Sequence, residues 1–172
     1  MIKPKPLLTQ EQIAARIKEL AAQLNNDYEG RPVLLLGTLT GSVIFLADLM
    51  RELALDLQVD FIKVSSYGDA MTSSRQIKDE YLPTWDLTGQ HVIIIEDIVD
   101  TGHTAAYLFK YLVDKNTASV AMCTLLDKPE RREVENLHCQ YVGFTIPNAF
   151  VVGYGLDFNQ KHRQLPYIGV IE

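Results

Sequence analysis

The sequence predicts an α/β fold, a mostly parallel twisted sheet flanked by helices. Two observations carry that prediction. Short apolar, β-branched runs at residues 33–36, 61–64, 92–95 and 119–126 have the length and content of buried strands. Between several of them lie segments whose apolar residues recur at helical spacing, and strand–helix–strand order is the signature of parallel crossovers. A chain of 172 residues with 47% apolar content has enough material for one domain with a sizeable core.

The elements follow in order. Thr9 and Gln12 have capping-box spacing, and Ile13, Ile17, Leu20 and Leu24 then repeat helically up to Asn25, Asn26 and Asp27. Residues 33–36 form the first predicted strand, and residues 37–41 a turn. Ser42 opens a helix whose Phe45, Leu46, Leu49, Met50 and Leu53 can pack on a sheet. After the strand at 61–64, the polar tract 66–84 lacks clear periodicity. A connection this long reads as a mobile functional loop or an extended hairpin. Residues 105–112 read as helix, with Leu108 and Leu112 on one face. Val142, Phe144, residues 150–152 and residues 168–171 read as short strands of a smaller terminal region.

The most informative segment is VIIIEDIVDTGHT, residues 92–104. A buried strand running into Glu96 and Asp97, then Asp100 and a glycine turn, puts polar groups where open α/β sheets bind ligands. Glu96 and Asp97 can accept hydrogen bonds from sugar hydroxyls or hold a hydrated metal. The turn Thr101, Gly102, His103, Thr104 can present N–H groups to a phosphate at a helix start. One ligand touching both parts is a sugar phosphate accompanied by Mg²⁺. The ordinary alternative is a capped helix, with Asp100 as the N-cap.

IIIEDIVDTGHT closely resembles the ribose-phosphate binding motif of type I phosphoribosyltransferases. FVVGYGLDFNQKHRQLPYIGVI, residues 150–171, resembles the purine-binding and C-terminal region of the hypoxanthine and hypoxanthine-guanine members, and Lys128 in LLDKP points to the same 6-oxopurine branch. The resemblance implies one phosphoribosyltransferase domain over residues 1–172. It also implies a small hood built from the chain ends, about 1–30 and 130–172. The implied reaction is Mg²⁺-dependent transfer from phosphoribosyl pyrophosphate to hypoxanthine, with guanine left open, giving IMP or GMP. Asp100 is then the catalytic acid or base at purine N7. Glu96 and Asp97 meet the ribose hydroxyls directly or through Mg²⁺. Thr101, Gly102, His103 and Thr104 surround the 5′-phosphate, His103 through its backbone first. Asp157 holds a Mg²⁺ on the pyrophosphate, and Arg163 binds the pyrophosphate itself. Lys128 donates to O6, Phe150 stacks on the purine, and Val151 and Leu156 meet the base edge. Ser66, Tyr67 and Gly68 begin a loop that closes over the reaction.

Two positions depart from the family pattern. The family's leucine-lysine-glycine turn is Leu39, Thr40, Gly41 here, so the pyrophosphate turn keeps its N–H groups and loses a side-chain charge. By resemblance the Leu39–Thr40 peptide is expected to be cis, or able to become cis, in at least one state. Arg75 stands where a Ser-Ser-Gly pattern is common.

The remaining features limit other readings. A net charge of −6 argues against a broad nucleic-acid surface and so against an RNA-binding regulator on the same scaffold. The cluster Lys128, Arg131, Arg132 reads as a solvated surface helix. No 18-residue apolar run is present, which excludes a transmembrane helix, and the start of the sequence lacks a signal-peptide core. Two cysteines make no disulfide scaffold, Cys123 reads as core, and a cytoplasmic location is the default. The first strand is not followed by GxGxxG, which argues against a dinucleotide-binding oxidoreductase. A xanthine-guanine type remains the nearest alternative, and the GYGLDF context argues against it. By resemblance a homodimer or homotetramer is expected.

Overall fold

The computed structural model describes residues 4–67 and 76–171. A six-stranded sheet runs in the order β4-β3-β2-β5-β6-β7, comprising β2 (Val33–Thr38), β3 (Leu57–Tyr67), β4 (Gln76–Tyr81), β5 (His91–Val99), β6 (Ser119–Asp127) and β7 (Tyr141–Thr145). Only β4 runs antiparallel to its neighbour; β3, β2, β5, β6 and β7 are parallel. Helices α1 (Gln10–Asp27) and α2 (Val43–Glu52) cover one face, where Ile13, Leu20, Leu24, Phe45 and Leu49 pack with Leu35, Ile93 and Cys123. Helix α3 (His103–Asp114) covers the other, where Leu108 and Leu112 meet Leu34, Ile94 and Met122. Both faces of β2 and β5 are therefore dry, which is why their sequences are continuous apolar runs rather than alternating ones.

The Thr9–Gln12 capping box is formed reciprocally at the start of α1: the Thr9 hydroxyl accepts from the Gln12 N–H and the Gln12 amide oxygen accepts from the Thr9 N–H. The strands are longer than their apolar runs. Ladder bonds to a neighbour hold polar residues in extended conformation, and hydropathy does not register them.

One placement differs from the sequence reading. Tyr141–Thr145 joins the main sheet beside β6 rather than a terminal region. Helix α1 covers this strand, and the Arg16 guanidinium donates to the Gly143 and Val142 carbonyls, each at 2.8 Å. Within the 66–84 tract, residues 76–81 form β4 antiparallel to β3, in line with the extended-hairpin alternative. Gly68 and Arg75 lie outside the described residues, as do the side chains of Ser66 and Tyr67.

A second, three-stranded antiparallel sheet joins the chain's extremities in the order β1-β9-β8, with β1 (Lys5–Leu8), β8 (Val151–Val152) and β9 (Ile168–Val170). Among the described residues no helix is long and apolar enough to cross a membrane.

Candidate active site

The site lies at the carboxyl ends of β2 and β5. The last β2–β5 pair is Gly37 with Ile95, whereas β5 continues beside β6 as far as Val99 with Asp127. Glu96 and Asp97 therefore sit inside the strand, not beyond its end as the sequence reading had it. The ladder to β6 holds them extended while the end of β2 leaves a gap beside them.

Glu96 is buried, and its Oε1 lies 2.5 Å from the Thr38 hydroxyl and 3.2 Å from the Asp97 N–H. Burial, then the neighbouring Asp97 charge, push the Glu96 carboxyl well above the ordinary glutamate range. Burial also raises Asp97, although a hydrogen bond from Glu96 and the Ile98 N–H opposes the rise. Both carboxyls are thus pushed upward, Glu96 the further of the two. Gly41 packs directly on Asp97: a Cβ added there would lie 1.6 Å from Oδ2. The Leu39–Thr40 peptide is cis.

A cleft of about 220 Å³ is lined by Thr38, Leu39, Thr40, Gly41, Val64, Glu96, Asp97, Thr104, Asp157 and Arg163. Arg163 reaches Asp157 Oδ1 at 2.8 Å and donates to the Gly155 carbonyl at 2.7 Å. The cleft thus joins paired acids, a backbone turn and a guanidinium–carboxylate pair. A smaller adjoining pocket of about 90 Å³ is lined by Glu96, Ile98, Val99, Asp100, Thr101, Gly102, Thr104 and Ala105. There Gly102, with φ of 92°, is the N-cap of α3, and no side chain caps the helix. Its first-turn N–H groups are left for an anion.

Asp100 is therefore not the N-cap. Its carboxylate pairs with Arg131 at 3.0 Å, and Arg132 donates to its carbonyl at 3.3 Å while also pairing with Asp127. The predicted surface helix is only a 3₁₀ turn, Pro129–Arg131, and its arginines clasp the Asp100 loop. The signal for this clasp was the basic cluster itself, whose target is distant in sequence. Thr38 was also missed. It ends an apolar run, and its partner Glu96 lies on another strand.

The His103 ring is turned to Glu133, 2.8 Å away, which leaves its helix-start N–H as its offering to a phosphate. Lys128 is buried, with its N–H on the Val99 carbonyl at 2.9 Å. Burial, aided by Arg131, lowers its pKa, and Asp100 opposes that. Val151 and Leu156 are buried. Phe150 is 52% exposed and lies T-shaped to Phe158 with ring centroids 5.6 Å apart, so it is not a core aromatic. Lys128, Phe150, Val151 and Leu156 line neither of the two cavities.

The phosphoribosyl transferase domain family matches residues 5–159. The chain belongs to the phosphoribosyltransferase family. Within it, the hypoxanthine-guanine phosphoribosyltransferase of Streptococcus pneumoniae is 45% identical over 168 residues, 98% of this chain and 93% of that protein. The hypoxanthine phosphoribosyltransferase of Escherichia coli is 44% identical over 167 residues, 96% and 93% of the two chains. The crystal structure of a hypoxanthine-guanine phosphoribosyltransferase from Bacillus anthracis superposes with a TM-score of 0.94 at 41% identity, covering 100% of both chains. The phosphoribosyltransferase fold and the transferase class expected from the sequence are thereby borne out.

Proposed function

We propose that this phosphoribosyltransferase moves the 5-phosphoribosyl group from phosphoribosyl pyrophosphate to a 6-oxopurine, hypoxanthine foremost, releasing IMP and pyrophosphate in purine salvage. The observation that carries the reading is the Glu96–Asp97 pair standing between the uncapped start of α3 and the Arg163 side of two adjoining cavities that share Glu96 and Thr104 in their lining. Acids for sugar hydroxyls, N–H groups for a phosphate and a guanidinium for a diphosphate fit the three parts of that donor in order.

In the reaction, purine N9 bonds to C1′ as the C1′–oxygen bond breaks and its electron pair leaves with pyrophosphate. Asp100 takes the purine's proton at N7; its Oδ1 is held by Arg131, which leaves Oδ2 for the base. Lys128 donates to O6 and Phe150 covers the ring. Thr101, Gly102, His103 and Thr104 hold the 5′-phosphate, and the Leu39, Thr40, Gly41 turn holds the pyrophosphate by its N–H groups. Ser66 and Tyr67 complete the substrate side, and the sheet of the two chain ends serves as the hood.

Mg²⁺ fits this donor set. Among the described residues no three such side chains converge into a self-sufficient metal cage, and Mg²⁺ characteristically takes one or two carboxylates plus substrate oxygens and water. Glu96, Asp97 and Asp157 are the carboxylates of the cleft that would hold it. When bound, Mg²⁺ supplies charge compensation to the departing pyrophosphate. We further propose that the chain works as a homodimer or homotetramer in the cytoplasm, with half-exposed Val43 and Met50 of α2 as apolar surface available for contact.

A panel of hypoxanthine, guanine, xanthine and adenine with phosphoribosyl pyrophosphate, followed by nucleotide formation, tests the reading. Hypoxanthine should lead. Preferred use of xanthine would replace this reading by the xanthine-guanine one.

A further inference from the structure

We infer that Tyr154 and Asp48 form a latch that positions the pyrophosphate side of the cleft, an assignment resting on the transferase reading above. Tyr154 is buried, and its hydroxyl donates to Asp48 Oδ2 on α2, a carboxylate that also pairs with Arg51. Gly41 directly precedes Ser42, the N-cap of α2, so the helix N-terminus carries the 39–41 turn. On the other side, Tyr154 begins the segment that carries Asp157 and Arg163. Its N–H donates to the Leu165 carbonyl at 2.8 Å, the Gly155 N–H donates to the Arg163 carbonyl at 3.0 Å, and the Arg163 guanidinium returns to the Gly155 carbonyl.

The two segments meet without slack. A Cβ on Gly155 would lie 2.0 Å from the Gly41 carbonyl oxygen, just as a Cβ on Gly41 would strike Asp97. Gly155, Gly41 and Asp97 are thus stacked, and a small movement of one is passed to the others. Tyr154 itself has φ of 49°, a conformation that a bulky residue keeps only where its surroundings fix it. The hydroxyl–carboxylate bond fixes it to α2. Burial and the Asp48 charge raise the tyrosine pKa, so the hydroxyl stays a donor. Neither side chain lines the donor-binding cleft. The latch therefore acts through Gly41, Asp157 and Arg163, as a positioning element.

The test compares Tyr154→Phe, Asp48→Ala, Asp48→Asn and the Tyr154→Phe/Asp48→Ala double variant. Each is assayed for the KM of phosphoribosyl pyrophosphate and of hypoxanthine, with thermal melting alongside. Tyr154→Phe and Asp48→Ala should each raise the KM for phosphoribosyl pyrophosphate about tenfold, the scale of one hydrogen bond to a charged group. The KM for hypoxanthine should stay within twofold. Asp48→Asn keeps an acceptor oxygen and should recover most of the loss, and the double variant should be no worse than either single one. Unchanged KM for phosphoribosyl pyrophosphate, equal rises for both substrates, or additive losses would overturn the latch. If Tyr154→Phe does not fold, Asp48→Asn against Asp48→Ala decides by the same split. A wild-type protein that forms no nucleotide would instead overturn the transferase reading, and the latch with it.

Discussion

Replacing Gly41 by Ala should weaken binding of phosphoribosyl pyrophosphate far more than it weakens the fold. The new Cβ would lie 1.6 Å from Asp97 Oδ2 and 2.6 Å from its Cγ, where atoms in van der Waals contact stand about 3.5–4 Å apart. The turn cannot retreat, because the Gly155 backbone packs on the Gly41 carbonyl. Asp97 must therefore swing away, and its Oδ1 gives up the Ile98 N–H, now 2.8 Å distant. A hydrogen bond to a charged group is worth about 1.5–3 kcal/mol. If the whole of that is lost from the binding-competent arrangement, affinity falls roughly 10- to 150-fold at about 1.4 kcal/mol per decade. Titration calorimetry with phosphoribosyl pyrophosphate and Mg²⁺ measures it directly. Gly89→Ala is the control. Gly89 has φ of +73° and nothing within 4 Å of an added Cβ, so this change should cost roughly 1–2 kcal/mol of stability and leave affinity untouched. Affinity within twofold of wild type in Gly41→Ala would refute the close approach as a functional constraint.

Other outcomes follow from the same geometry. Asp100→Ala should lower turnover about 10²–10⁴-fold with little loss of phosphoribosyl pyrophosphate affinity, and near-normal single-turnover rates would remove it from proton transfer. Lys128→Ala should weaken base binding by about 1–3 kcal/mol. Because burial lowers the lysine pKa, wild-type kcat/KM for hypoxanthine should fall with rising pH before the ordinary lysine value of 10.5 is reached, and Lys128→Arg should remove that limb. Chelating Mg²⁺ should abolish transfer, and Asp157→Asn should raise the Mg²⁺ concentration needed; full activity in excess chelator would contradict both. Glu96→Gln should raise the melting temperature. The folded carboxyl is raised above its unfolded value of 4.5, so ionisation costs stability as pH climbs above that value, and glutamine escapes the cost. The gain should vanish below pH 4.5, while ribose-phosphate affinity drops; equal melting curves at neutral pH would count against the buried pair.

Residues whose role is set by their immediate neighbours were readable in the sequence. The capping box of α1, the dry strands β2 and β5, and the order of acids and glycine in residues 92–104 are local patterns. What escaped depends on contacts across the chain. Strand β1 is short and partly exposed, and it is a strand because β9 pairs with it. Tyr141–Thr145 looked peripheral because its place beside β6 is a matter of topology. Arg131 and Arg132 looked like solvated charge until Asp100 and Asp127 came within reach. Charge runs report their own composition and not their partners. The acids of β5 were read as lying beyond the strand, and its true end was hidden, because polar residues held by a neighbouring strand carry no hydropathic mark.

The small sheet has a consequence for biosynthesis. Lys5 pairs with Val170 and Pro6 with Gly169, so nearly the whole chain separates the two halves of one ladder. Because β9 is the middle strand, β1 and β8 have no partner until it arrives. Without β9 the six strands of the main sheet still pair among themselves, but β1 is left as an open edge. Asp157 and Arg163 also emerge late. A chain cut ahead of β9 would keep every strand of the main sheet and lose the one strand that joins β1 to β8.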